Sequence, residues 1–219
     1  YEEYGNISVL KQGEIDDPKK VLDKEVLIKV NFFSLNPLDY KLRNGMLKLM
    51  TFRTFPRTTG SDFSGEIIAK GDSVNNFEIG EKVFGFLSQL NEGTSSQFIK
   101  VNESILSKAP SNIDIGTAAA VPLAALTSYQ ALVQLAKIKK GNKVLINGAS
   151  GGTGIFAIQI AKIFGAKVTS ITSHRNINWM LDTFLVDEAI DYTKENSLNN
   201  LRKNEYDIIY DCYGHLSFN

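Results

Sequence analysis

The chain has 219 residues, 43% of them hydrophobic, enough to bury a real core in one large domain or two small ones. Lysine plus arginine equals aspartate plus glutamate at 24 each, so no net field favours nucleic acid, an anionic membrane or an acidic partner, and any ligand must be recognised locally. The lone Cys212 excludes an internal disulfide; with no apolar run of about 18 residues and no signal-like start, we expect a cytoplasmic protein.

In chain order, the sequence opens on Tyr1 rather than methionine, so native residues are expected to precede it. Short β segments follow at Val26–Val30, Asp62–Lys70, Lys82–Phe86 and Gln97–Val101, separated by turns such as Lys70-Gly71-Asp72 and Ile79-Gly80-Glu81. Their spacing predicts a barrel-like or sandwich-like β domain. From Thr117 the texture changes to alternating helix and strand. We expect a helix over Thr117–Ala136, strand Lys143–Asn147, helix Gly152–Phe164, strand Lys167–Thr172, a helix near Ile177–Thr183, strand Glu188–Tyr192, a short helix and strand Tyr206–Tyr210. Such alternation implies parallel βαβ units with right-handed crossovers. The boundary falls near Gly116–Leu126, giving domains 1–120 and 121–219.

The stretch after strand Lys143–Asn147 carries four glycines and opens a helix. Gly152-Thr153-Gly154-Ile155-Phe156-Ala157 reads as G-x-G-x-x-A: the first glycine for the tight turn, the second for close backbone approach to a pyrophosphate, and the small third residue for helix-on-strand packing. The uncapped helix start offers N–H donors and a positive dipole end to phosphates. Gly165 reads as the helix C-cap. At the end of the next strand, where NAD sites place a carboxylate for the ribose 2′-hydroxyl, this chain has Thr172-Ser173-His174-Arg175. Hydroxyl and guanidinium in place of a carboxylate favour a 2′-phosphate, hence NADPH; the competing reading makes Arg175 an ordinary solvated charge. A catalytic zinc needs about three protein ligands, and His174, His215 and Cys212 are too few and too scattered. Cys212 fits a small apolar residue closing a strand better than a nucleophile.

Over nearly its whole length the sequence resembles the zinc-independent quinone oxidoreductase branch of the medium-chain dehydrogenases/reductases, which includes zeta-crystallin and enone reductases. The resemblance is carried by Ser34-Leu35-Asn36-Pro37-Leu38-Asp39-Tyr40-Lys41, Arg43-Asn44-Gly45, Thr59-Gly60-Ser61-Asp62-Phe63-Ser64-Gly65, Gly80-Glu81-Lys82-Val83-Phe84-Gly85, Ala119–Tyr129, Asn147-Gly148-Ala149-Ser150-Gly151-Gly152-Thr153-Gly154 and Ile190-Asp191-Tyr192. It implies an α/β protein: a GroES-like β-barrel domain, a Rossmann doubly wound parallel sheet, and a cofactor cleft between them. Zinc-dependent relatives carry cysteine at the place of Asn36 and His-Glu at that of Ser61-Asp62, so the resemblance also implies a metal-free site.

The implied activity is hydride transfer from NADPH to quinones or α,β-unsaturated carbonyls, which drives charge onto an oxygen that positioned donors must stabilise. Lys41 is the first candidate donor, with Tyr40 and Asn36 orienting substrate or nicotinamide; the competing reading has Lys41 in solvent and proximity alone supplying the rate. The resemblance places Thr127 beside the nicotinamide, Tyr192 near the adenosine 2′-phosphate, and the cofactor's diphosphate on Ala149, Ser150, Gly151, Gly152, Thr153 and Gly154. Ser173, His174 and Arg175 complete the expected cofactor set.

Two departures stand out. Ser95 occupies a position where many relatives have an aromatic, and Leu185-Val186 replaces Gly-Ala after a helix, where a left-handed leucine would cost about 1 kcal/mol. Family members continue past Asn219, so this chain should supply strands 3, 2, 1 and 4 of the 3-2-1-4-5-6 order, leaving strand 4 as an edge to be covered by further chain or by a second copy in a homo-oligomer, a dimer. The alternative function is an NADPH-binding structural or redox-sensing protein without turnover. A short-chain dehydrogenase is disfavoured because no tyrosine has a lysine four residues on.

Overall fold

A computed structural model describes the chain apart from residues 19, 52–54, 89–92, 202–203 and 215–219. The chain divides into two units, Tyr1–Leu123 and Ala124–Asn219.

The first unit holds a five-stranded sheet in the order β4-β1-β2-β3-β5, formed by β1 (Glu25–Ser34), β2 (Asp62–Lys70), β3 (Lys82–Phe86), β4 (Phe98–Asn102) and β5 (Leu106–Lys108). All its pairings are antiparallel. The period-2 pattern explains which face is inside: Val26 and Ile28 of β1 and Ile99 and Val101 of β4 are buried between more exposed neighbours. They join Phe63, Ile67, Val83 and Leu106 in one core.

Strand β1 runs past the expected Val30 to Ser34. A register shift between Val30 and Phe32 lies opposite Gly65, where any Cβ would sit 2.3 Å from the Lys29 carbonyl oxygen. Glycine there permits the close crossing and leaves Phe32 and Phe33 half-exposed. Helix α1 (Pro37–Arg43) follows directly, with Pro37 in its first turn, and a short α2 spans Lys48–Thr51. Neither α1 nor β5 is visible in the apolar pattern; both are too short to show a period.

The expected single helix over Thr117–Ala136 is three pieces: α3 (Ile115–Ala119), α4 (Pro122–Tyr129) and a π-helical turn Gln130–Leu135. Pro122 has no N–H to continue α3, whose last turn closes instead with Ala120 and Val121 donating to Thr117 and Ala118. In the π turn Ala136 donates to the Ala131 carbonyl.

The second unit is a parallel sheet ordered β8-β7-β6-β9, built from β6 (Lys143–Asn147), β7 (Lys167–Thr172), β8 (Glu188–Asp191) and β9 (Ile208–Asp211), with α5 (Gly152–Ile163) and α6 (Ile177–Asp182) as crossovers. This is the 3-2-1-4 order expected from the sequence. Central strands β6 and β7 are buried on both faces, as parallel strands covered by helices must be, while β8 and β9 are only partly covered. Val144, Ile146, Val168, Ala157, Ile158, Ala161, Leu132 and Met180 form the core. Helix α5 ends in a Schellman motif: Gly165 lies at φ 73°, donating to Lys162 while Ala166 donates to Ala161. Leu185, where a glycine was expected, also lies in the left-handed region at φ 51°.

Candidate functional site

Two polar clusters, one in each unit, gather most of the candidate residues. In the second unit the chain leaves β6 and turns sharply at Gly148, at φ 74°. The Gly151 amide donates back to Gly148 and the Ala149 amide to Ile171 on the neighbouring strand. This corrects the expected glycine roles. The tight turn belongs to Gly148, not Gly152. A Cβ on Gly152 meets nothing within 4 Å, whereas one on Gly154 would sit 2.4 Å from the Gly148 oxygen and 2.6 Å from the Ala149 oxygen. Gly154 is therefore the position where only glycine lets helix and turn meet. The motif is set early by the residues between Asn147 and Gly152, which form a longer turn than a minimal G-x-G spacing assumes.

Gly151 is the N-cap of α5 and carries no side chain to compete for the helix start. The amides of Gly152, Thr153 and Gly154 have no acceptor among the described residues. They are the orphan donors that any helix start leaves, here open to an anion.

Beside this turn, Ser150 Oγ accepts hydrogen bonds from Thr172 Oγ1 at 2.9 Å and from Asn176 Nδ2 at 3.0 Å, and Asn176 also donates to Ser173 Oγ at 3.3 Å. Thus the glycine turn is tied to the tip of β7. The tip of β8 joins it through the Tyr192 amide, which donates to the Thr172 carbonyl. His174 Nδ1 lies 3.0 Å from Asp191 Oδ2. Asp191 Oδ1 accepts from the Thr193 amide at 3.0 Å and from Thr193 Oγ1 at 2.6 Å. These bonds, Thr193 Oγ1 foremost, hold the Asp191 carboxyl below the usual range. Arg175 and Tyr192 are exposed at the same end of the sheet. Thr127 stands exposed on α4, whose Ser128 donates to the Thr153 carbonyl at 2.8 Å.

In the first unit, Asn36 opens α1. Its backbone amide donates to Asp39 Oδ2 at 2.5 Å, and its side-chain amide donates to Asp62 Oδ2 at 2.9 Å and to Ser34 Oγ at 3.3 Å. Ser34 Oγ donates to the same Asp62 oxygen, and the Leu123 amide to Asp62 Oδ1 at 2.8 Å. Burial pushes the Asp62 carboxyl up, against these three hydrogen bonds, and nearby Asp39 adds to the rise. Helix α1 turns Asp39 and Leu42 inward and leaves Tyr40 exposed. Lys41 is half-buried, with no ion-pair partner among the described residues. Of the three candidate catalytic residues, only Asn36 enters the bonded cluster.

A zinc ion does not suit this cluster. Asn36, Ser61 and Asp62 offer one carboxylate, whose oxygens already serve three donors, together with an amide and a hydroxyl. Among the described residues no group of three or more histidine, cysteine, aspartate or glutamate side chains converges. Cys212 is half-buried, and burial raises its thiol; His215 lies outside the described residues. A dinucleotide does suit the second unit, because a Cβ at Gly154 would collide with the turn and the helix-start amides have no acceptor among the described residues.

Asp191, Asn176 and Thr172 join these bonds without being among the candidate site residues; Thr172 and Asp191 enter the sequence reading only within the stretches Thr172–Arg175 and Ile190–Tyr192, and their bonding becomes visible once the strands are in register.

Residues 22–124 match the alcohol dehydrogenase GroES-like domain. The chloroplastic quinone-oxidoreductase homolog of Spinacia oleracea is 35% identical over 193 residues, covering 86% of this chain and 58% of that protein. The chloroplastic NADPH-dependent alkenal/one oxidoreductase of Arabidopsis thaliana is 32% identical, covering 98% and 56%. The quinone oxidoreductase structure from Coxiella burnetii superposes with a TM-score of 0.83 at 34% identity, covering 92% of this chain and 64% of that one. The chain thus spans less than two thirds of each of these proteins.

Proposed function

Because this chain belongs to the quinone oxidoreductase branch of the medium-chain dehydrogenase/reductase superfamily, we propose that it serves NADPH-dependent reduction of quinones or α,β-unsaturated carbonyls without a metal. Within this reading residues 1–120 serve the substrate and 121–219 the dinucleotide. The observation that carries it is the row of amides at Gly152, Thr153 and Gly154 with no acceptor among the described residues, beside a turn that excludes any side chain at Gly154.

Bound there, the nicotinamide supplies a hydride. The chain's own residues do the rest. Helix-start amides hold the diphosphate; Ser150 keeps its hydroxyl proton for a phosphate oxygen, since it accepts from Thr172 and Asn176. Ser173, His174, Arg175 and Tyr192 offer donors to a 2′-phosphate, which favours NADPH over NADH. Lys41 donates a hydrogen bond and then a proton to the substrate oxygen on which charge develops, and recovers the proton from solvent. Asn36, fixed by Asp39 and Asp62, orients the nicotinamide or the substrate carbonyl, a role shared with Tyr40, and Thr127 serves the nicotinamide.

Among the described residues no helix is long and apolar enough to cross a membrane. A lone cysteine fits a reducing compartment, and our assignment is the cytoplasm. A homodimer is the proposed solution state; sedimentation of the full-length protein as a monomer would overturn it. The function is tested by NADPH consumption with 1,4-naphthoquinone and with a medium-chain enone, chelator present, in the full-length protein and in Lys41→Ala. Turnover insensitive to chelator and at least tenfold slower in Lys41→Ala is expected. A rate abolished by chelator refutes the metal-free reading, an unchanged Lys41→Ala rate removes that role, and binding without turnover favours the non-enzymatic alternative.

A further inference from the structure

We infer that Asp191 is a positioning residue that sets the preference for NADPH over NADH by holding His174 at the tip of the sheet. The inference deepens the nucleotide reading above and rests on it. NADPH and NADH differ only by the 2′-phosphate, so selectivity depends on donors aimed at one dianionic group. His174 sits on an exposed turn, with its side chain 77% accessible against 6% for Asp191. An imidazole so exposed would sample several rotamers and lose entropy on binding. Asp191 removes that freedom. It is the last residue of β8, in register with Thr172 of β7, and both of its oxygens are occupied: one by Thr193 through amide and hydroxyl, the other by His174 Nδ1. With Nδ1–H donated to the carboxylate, Nε2 is the ring nitrogen left for a ligand, and it donates to a phosphate oxygen as the N–H of the imidazolium form.

A carboxylate near a phosphate could instead act by repulsion, and the two effects have opposite signs. Asp191 is buried, and its charge is balanced by the Thr193 donors and the imidazole, so ring positioning should outweigh repulsion. The position is also tied to the glycine turn through Thr172, Ser150, Asn176 and Ser173, so the donors at the tip and the helix-start amides belong to one end of one sheet.

The experiment measures dissociation constants for NADPH and NADH by calorimetry on the full-length protein, in wild type, Asp191→Asn, His174→Ala and the double variant. Asp191→Asn should weaken NADPH about fivefold, the loss of one charge-assisted bond, with NADH changed less than twofold. The double variant should bind NADPH no worse than His174→Ala alone, because Asp191 acts through that ring. An unchanged NADPH/NADH ratio in Asp191→Asn, tighter NADPH binding in it, or a full Asp191→Asn effect surviving in the His174→Ala background each overturns the inference while the nucleotide reading stands. If Asp191→Asn melts below the assay temperature, His174→Ala decides, and an unchanged ratio there overturns the inference. Wild type that binds neither nucleotide, or both equally, removes the NADPH reading and this inference together.

Discussion

The two polar clusters use aspartate in opposite ways. In the first unit Asp62 is fully buried and accepts from Asn36, Ser34 and Leu123, yet its carboxyl is pushed up because desolvation outweighs those bonds. In the second, Asp191 lies at a strand tip, accepts from Thr193 and His174, and is held below the usual range. The difference shows what each region is built for. A carboxylate costly to ionise serves as a rigid hub that fixes Asn36; one readily ionised serves to orient an exposed ring. The glycine turn beside Asp191 repeats the contrast within one motif, with Gly154 confined by backbone and Gly152 facing open space.

The sharpest break of that last contrast is Gly154→Ala against Gly152→Ala. A methyl at Gly154 meets backbone oxygens 2.4 Å and 2.6 Å away, so we expect a loss of about 3 kcal/mol and of nucleotide binding. Gly152→Ala should stay within about 0.5 kcal/mol of wild type by thermal or urea unfolding. Equal effects at both positions would refute the confinement of Gly154 by the turn backbone.

The hub comes next. Asp62→Ala withdraws the acceptor of three donors and should destabilise by about 2 kcal/mol, whereas Asp62→Asn, which retains one carbonyl acceptor, should cost less. A pair of variants within error of each other and of wild type would show that the cluster does not hold Asn36.

The pH responses sharpen the comparison. Since the Asp62 carboxyl is raised above its ordinary 3.8, the folded first unit binds the proton more readily than the unfolded chain. Its contribution to stability therefore grows as pH falls through the folded value towards 3.8 and levels off below it. Asp191, lowered from 3.8, contributes above that value and loses its contribution as pH falls through its folded value. Hydrogen exchange resolved by unit, in wild type, Asp62→Asn and Asp191→Asn, should show each slope vanish in its own variant and persist in the other. Smallest of all, Leu185→Gly relieves a left-handed leucine that is 65% exposed. After the entropic cost of glycine the net gain should be about 0.5 kcal/mol, and destabilisation would mean that the side chain contributes packing.

Much of this was legible from local pattern. The bounds of β2, β3, β6 and β7 coincide with the apolar runs that predict them, because period-2 alternation and unbroken Val/Ile stretches are written within a few residues. The glycine-rich helix start was legible for the same reason. The proline break at Pro122 overrode an apolar helical pattern that continued across it, and the turn at Gly148 lay upstream of the glycine that the motif singled out.

By itself, then, the sequence determined the βαβ alternation of the second unit, the main strands of the first and the presence of a helix start able to take phosphate, while the four-strand order came with the family resemblance. Backbone chemistry of this kind, glycine freedom, proline's missing donor and side-chain period, acts over a handful of residues. Only the tertiary structure decided that Asn36 meets Asp62 across 26 residues, that Ser150 meets Thr172 across 22, and that His174 meets Asp191 across 17. Those contacts depend on strand register, which brings distant polar side chains to one sheet end and is fixed by the packing of the whole core rather than by any segment that carries them.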